Sequence, residues 1–199
     1  LGGGDDALDL EGDAHVEGNT FTNFRRDRYN TAARESNVIS AGRGRNYVVV
    51  RNVFYNCGHV AQIKDGSFMT FVNNTVMDVA DSAFFFQIPA LGGTPGKGID
   101  VDSCIFHNAP PLFADFYTND PRWGTTEMTV NRSIVAAAWL GLGEGNMDAD
   151  PLFVSPPSDF RLKSMSPAIG AGANGLDMGA WVPAGASVFL LDRNHGIYR

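Results

Sequence analysis

Short runs of apolar and polar residues, each interrupted by an Asn-like residue, recur down the chain. They read Val16-Glu17-Gly18-Asn19-Thr20-Phe21-Thr22-Asn23, then Val49-Val50-Arg51-Asn52-Val53-Phe54-Tyr55-Asn56, then Phe71-Val72-Asn73-Asn74-Thr75-Val76-Met77-Asp78. Two further copies are Val101-Asp102-Ser103-Cys104-Ile105-Phe106-His107-Asn108 and Val130-Asn131-Arg132-Ser133-Ile134-Val135-Ala136-Ala137. The anchors Asn19, Asn52, Asn74, Cys104 and Ser133 stand 33, 22, 30 and 29 residues apart. A period of that size in strand-type sequence predicts stacked coils.

Each copy is preceded by a second strand-like run: Ala7 to Glu11, Val38 to Gly42, Val60 to Lys64, Ala83 to Gln87 and Leu112 to Tyr117. A coil therefore reads as strand, short turn, strand, Asn-containing turn and longer loop. Successive copies run the same way, so the sheets are expected to be parallel. Period-2 alternation sends Leu8, Leu10, Val16, Phe21, Val49, Phe54, Ile63, Phe71, Val76, Val101, Phe106, Val130 and Val135 inward. It sends Asp9, Glu11, Ser40, Gln62, Lys64, Asp115 and Tyr117 outward on one wall. On the other wall the outward set is His15, Glu17, Val48, Val50, Thr70, Val72, Asp100, Asp102, Thr129 and Asn131. Asn tolerates left-handed backbone angles and bonds neighbouring backbone groups, so the anchors read as a structural ladder at a corner.

Composition narrows the class. The chain has 199 residues, 44% of them hydrophobic and 19% charged, as in an ordered globular domain, and its 23 glycines suit a fold with many tight turns. A net charge of -7 argues against a general nucleic-acid binder, and no apolar run is long enough for membrane insertion as a helix. Cys57 and Cys104 fall two coils apart in different columns, too far for a bridge, and are expected as buried free thiols. The chain opens on Leu1 and reaches strand-like sequence at once, with no helix ahead of it. The expectation is a C-terminal part of a longer product, with the N-terminal coil end covered by a preceding domain or a partner subunit.

The stretch after Asp150 is the most distinctive. Asp150-Pro151-Leu152-Phe153-Val154, Asp159-Phe160-Arg161-Leu162, Ser166-Pro167-Ala168-Ile169-Gly170-Ala171-Gly172 and Asp177-Met178-Gly179-Ala180 together resemble the closing module of bacterial right-handed parallel β-helix proteins. These form the pectate-lyase-like superfamily, and Asp5 to Leu10 and Asn73 to Val76 resemble its ordinary coils. The resemblance implies an all-β, right-handed parallel β-helix (solenoid) of about five to six coils. Coils would occupy 1–149, the closing module 150–182 and a C-terminal extension 183–199. It also implies a secreted or cell-surface setting in which polysaccharide is handled. A shared fold does not by itself give an activity.

Chemistry on a solenoid sits on its walls and loop insertions. Seven of the 15 basic residues lie between Arg25 and Arg51. Arg45 and Arg51, with Gln62, Tyr117 and Trp123, form a candidate polysaccharide-binding set, since guanidinium forks take carboxylates and aromatic faces stack on sugars. Lys64 and Arg43 are the candidate catalytic pair for β-elimination on a uronic acid, one removing the proton and the other neutralising the carboxylate. Asp9 and Glu11, within an acidic N-terminal stretch, are candidate Ca²⁺ ligands. Asp100 and Asp102 share a face at a separation that an inverting glycoside hydrolase would use. His15, His59, His107 and His195 form no spaced set and read as surface or turn residues. The leading expectation is a surface module that binds or scaffolds on polysaccharide. A lyase or hydrolase on acidic polysaccharide and a structural subunit docking on a larger assembly are the alternatives.

Overall fold

The computed structural model describes residues 6–25, 37–86, 93–109, 111–114, 126–181, 190–192 and 196–198. Fourteen strands form three parallel sheets. The first holds β1 (Leu8–Glu11), β4 (Asn37–Gly42), β7 (His59–Ile63), β10 (Ser82–Phe86) and β13 (Phe113–Ala114), in that order. The second holds β2 (Ala14–Glu17), β5 (Tyr47–Val50), β8 (Phe68–Val72), β11 (Gly98–Asp102) and β14 (Glu127–Asn131). The third holds β3 (Thr20–Thr22), β6 (Val53–Tyr55), β9 (Thr75–Met77) and β12 (Ile105–His107). Every neighbour in a sheet is the same element of the next repeat, so the chain is an all-β parallel solenoid.

The third sheet departs from the two-walled coil that the pattern predicts. Each run around an anchor is two short strands, not one. The residue before the anchor bends the chain by taking a left-handed conformation: Gly18 (φ 70°), Arg51 (φ 54°), Asn73 (φ 50°), Ser103 (φ 54°) and Arg132 (φ 43°). The next corner repeats the device at Asn23, Asn56, Asp78 and Asn108, also at positive φ. The left-handed role thus belongs to the neighbours and followers of the anchors.

The anchors themselves run a ladder. The Asn19 N–H donates to Asn52 Oδ1 (2.9 Å), Asn52 N–H to Asn74 Oδ1 (2.8 Å), and Asn74 N–H to Cys104 Sγ (3.3 Å). Cys104 N–H donates to Ser133 Oγ (3.0 Å), and Ser133 N–H to Asn146 Oδ1 (3.1 Å). Side chains of differing type hold one column because each supplies an acceptor at the same place. Bonds of this kind satisfy backbone donors that a corner would otherwise leave without partners.

Inside, Phe21, Phe54, Val76 and Phe106 stand in register along the third sheet. The Phe21 and Phe54 rings stack at 5.3 Å, and Phe71 fills the space beside Val76, at 5.7 Å from Phe54 and 6.2 Å from Phe106. Phe84 meets Phe71 and Phe106 edge-on from the first sheet. Cys57 and Cys104 are both free and buried.

Two walls carry cover. The segment after Asp150 lies along the outer face of the third sheet, beginning with the antiparallel hairpin β15 (Phe153–Ser155) and β16 (Asp159–Leu162). Phe153, Phe160, Ala168 and Met178 pack on the outward side chains Val53, Ile105 and Ile134. Asn73 Nδ2 donates to Asp177 O (2.9 Å), and Ala180 N–H to Thr75 Oγ1 (3.0 Å). The stretch resembling a closing module is therefore a lengthwise strap. The C-terminal end of the core is met by a 3-10 turn, Ala137–Leu142, whose Trp139, Leu140 and Leu142 pack against it. On the second sheet the outward residues Val50, Thr70 and Val72 are buried. The strand β17 (Leu190–Asp192), paired antiparallel with β18 (Gly196–Tyr198), approaches β8.

Candidate functional site

On the cationic wall, Arg43 and Lys64 each face a carboxylate. Arg43 Nε meets Glu11 Oε2 at 3.0 Å, and Lys64 Nζ lies 3.9 Å from Asp9 Oδ1. Register explains the convergence: Glu11 lies beside Gly42 across β1 and β4, and Lys64 follows β7 in the same file. Gly42 has no side chain, and its neighbours lean over the gap. A methyl group there would sit 3.0 Å from Lys64 Cε, 3.1 Å from Asp65 Oδ2 and 3.3 Å from Glu11 Oε1. Lys64 and Arg43 thus flank one small polar corner, each already holding a carboxylate. Asp9 and Glu11 serve as the counter-ions of those cations, and among the described residues no three metal-ligating side chains converge.

The same pairing recurs on the second sheet. Arg51 bonds Glu17, and Arg132 bonds Asp102, one oxygen through Nε at 3.0 Å. In both, the cation occupies the left-handed position just after a strand, and the carboxylate ends the neighbouring strand of the preceding repeat. Asp100 accepts from Thr129 Oγ1 at 2.6 Å, so Asp100 and Asp102 are both engaged in bonds along their sheet. Arg45 is exposed, and its backbone N–H donates to Asp13 Oδ1. Gln62 is half-buried on the first wall. Tyr117 and Trp123 lie outside the described residues. Exposed pairs of this kind contribute little to stability, about 0–1 kcal/mol each, but they engage the guanidinium groups of Arg43, Arg51 and Arg132.

The histidines divide. His15 sits 3.1 Å from Glu17, and His195 lies outside the described residues. His59, which the sequence places at a surface or turn, is buried at the start of β7, with Nδ1 2.9 Å from Ser82 Oγ and its ring 4.7 Å from Phe85. His107 opens onto a cleft.

That cleft lies among exposed polar residues. It has a volume of about 360 Å³, and its lining includes Phe106, His107, Asn108, Ile134, Val135, Asp148 and Asp150. The line of the third sheet makes it: Ile105 bridges to Ile134, and Ile134 to Met147, so residues 106–109, 134–136 and 148–150 stack at successive levels. Small side chains at Ala109, Ala136 and Ala149 keep the space open. Asn108 turns the corner at φ 51° and donates from Nδ2 to Asp78 Oδ1 (3.0 Å). Asp150 Oδ1 accepts the Leu152 N–H (2.9 Å), which fixes one carboxylate at the rim. Phe153 meets the His107 ring edge-on at 6.4 Å.

Chemically this is a small cleft whose exposed lining is polar, with Asn108, Asp148 and Asp150, beside Ala136. Asp148 and Asp150 are exposed and accept hydroxyl hydrogens, and Ala136 is exposed beside them, while Ile134 and Val135 are buried behind the lining. Sequence reasoning passed over Asp148 because the last copy of the repeat that it reads ends at Ala137. The available signal was Asn146, which stands where a sixth anchor would stand. No family model, curated protein or solved structure matches this chain.

Proposed function

We propose that the chain is a polysaccharide-binding module built on a right-handed parallel β-helix of about five to six coils, of the pectate-lyase-like superfamily. The right hand follows the general rule for parallel crossover connections, and the family reading rests on the Asp150 to Ala180 motif. The observation that carries the binding reading is the cleft, with exposed Asp148 and Asp150 on its lining beside His107 and Asn108. Its volume suits one or two sugar rings, and its carboxylates favour hydroxyl-rich neutral glycans over uronates. A polymer ligand of that kind places the module at the cell surface or in the secreted fraction. Binding takes precedence over β-elimination because Lys64 and Arg43 are each occupied by a carboxylate.

The test is titration of neutral and uronate oligosaccharides against the wild type and Asp148→Ala. Neutral oligosaccharides should bind, and the variant should lose about tenfold in affinity, the scale of one hydrogen bond to a charged group. Absence of glycan binding, or binding indifferent to Asp148, would overturn the reading.

A further inference from the structure

The cleft beside His107 lies where a column of corner side chains is interrupted. Asn23, Asn56, Asp78 and Asn108 each follow a strand of the third sheet and take a left-handed φ. Their side chains bond along the axis. Asn56 Nδ2 donates to Asn23 Oδ1 (2.6 Å), and Asn108 Nδ2 to Asp78 Oδ1 (3.0 Å). Asn108 stands three places after Ile105, and the same step from its register partners Ile134 and Met147 gives Ala137 and Asp150. An alanine thus replaces the polar side chain one level beyond Asn108, and a carboxylate returns at the next. Because Asn108 Nδ2 is spent on Asp78, its Oδ1 is what the amide has left to offer a ligand.

The charge of this corner is one-sided as well. Glu17, Asp102 and Asp159 each hold an arginine. Asp148 and Asp150 hold no cation among the described residues, and Asp150 accepts the Leu152 N–H. No lysine or arginine is among the described residues that line the cleft. His107 is the one lining side chain able to carry positive charge, and its neutral form also accepts. The cleft therefore offers a ligand mainly acceptors, two of them charged. A hydroxyl donates one hydrogen bond, whereas an ammonium donates three and brings the opposite charge. Charge-assisted bonds are roughly twice as strong as neutral ones.

We propose that the cleft takes a sugar bearing a free amino group, its ammonium held by Asp148 and Asp150 with Asn108 Oδ1 as a further acceptor. The inference rests on the glycan-binding reading of the cleft and ranks cationic sugars above neutral ones. The whole molecule favours the same ligand, since a net charge of -7 draws a polycationic glycan toward the surface and repels a uronate polymer.

The test uses the full chain and three ligands: a glucose oligomer, the glucosamine oligomer of equal length and linkage with its amines protonated, and the N-acetylated form of the latter. Calorimetric titration should give the glucosamine oligomer an affinity about tenfold or more above the other two, the scale of one added bond between charged groups. That advantage should shrink as salt is raised. Asp148→Asn keeps the shape and removes the charge, so it should abolish most of the advantage while changing the affinity for the glucose oligomer little. If circular dichroism shows that this variant does not fold, Asp150→Asn takes its place. Equal affinities for the glucosamine and glucose oligomers would overturn the amine preference and leave glycan binding standing. Absence of binding by all three would overturn both readings. An amine advantage that persists in a folded Asp148→Asn, Asp150→Asn double variant would assign it to general surface charge and overturn the site.

Discussion

A single side chain in the ladder answers several backbone groups at once. Asn52, fully buried, accepts from Asn19 and donates from Nδ2 to Val16 O, Val50 O and Asn74 Oδ1. Asn52→Ala takes the acceptor from the Asn19 N–H and the Nδ2 donor from Val16 O. Asn74 Oδ1 keeps the backbone N–H of residue 52 and Val50 O keeps the Gly18 N–H, so the cost is about 1–3 kcal/mol for each group left without a bond. A clear fall in the urea midpoint is expected. Cys104 occupies an equivalent place with a weaker acceptor, and burial raises its thiol pKa strongly, while burial pushes the Cys57 thiol up to about 11. Neither should react with a thiol reagent at pH 8 in the native state, and both should react in urea. The raised values stabilise the protonated form in the folded state. The corresponding stability is fully present below the unfolded thiol value of 9.0 and is lost as pH rises toward about 11 for Cys57. Thermal melts between those limits should drift downward, and Cys57→Ala should lessen the drift. The anchors were legible from sequence because an acceptor is needed at every level, and Asn, Cys and Ser all supply one. The left-handed neighbours were not: Arg51 and Arg132 carry no propensity for that conformation, which register and packing impose.

At the level of elements, sequence showed where strands begin but not where they bend. The first four first-sheet strands fall within a residue of their predicted places, since alternation with Val, Ile and Phe marks them plainly; of the run Leu112 to Tyr117, Phe113–Ala114 is strand and 115–117 lie outside the described residues. The third sheet stayed hidden because a strand such as Val53–Tyr55 is three residues long and abuts the previous strand across one bent position. The strap was readable as a motif, yet its docking face was not, since its partners Thr75 and Ser103 sit far earlier in the chain. Gly179 is the tightest point of that docking. It holds φ +89°, and a Cβ would lie 2.8 Å from both Ile105 Cδ1 and Thr75 Oγ1. Gly179→Ala should cost about 1–3 kcal/mol and loosen the strap. Limited proteolysis should then cut between 150 and 181 well before the solenoid unfolds. An unchanged cleavage pattern would show that the strap is held elsewhere.

For the molecule as a whole, the arrangement of charge decides what it can meet. The basic residues around Arg43 look from sequence like a polyanion groove, but folding sets carboxylates of the first repeat against Arg43, Arg51 and Lys64. With a net charge of -7, the protein should pass through a heparin or polygalacturonate column at physiological salt. Retention there would contradict this pairing. The Phe file and the nearest-neighbour sheets suggest a molecule whose turns could be added or removed freely, since stability in stacked repeats accrues step by step. The strap forbids this. It touches Tyr55 through Phe160 at 5.9 Å, Thr75 through Ala180 and Ile134 through its apolar side chains, so it spans several levels in fixed register. Duplicating one repeat between β6 and β12 would slide every contact beyond it by a full level. The strap is thus a gauge of length: it records how many levels separate Tyr55 from Ile134, and copies of the gene with one more or one fewer would no longer fit their own measure.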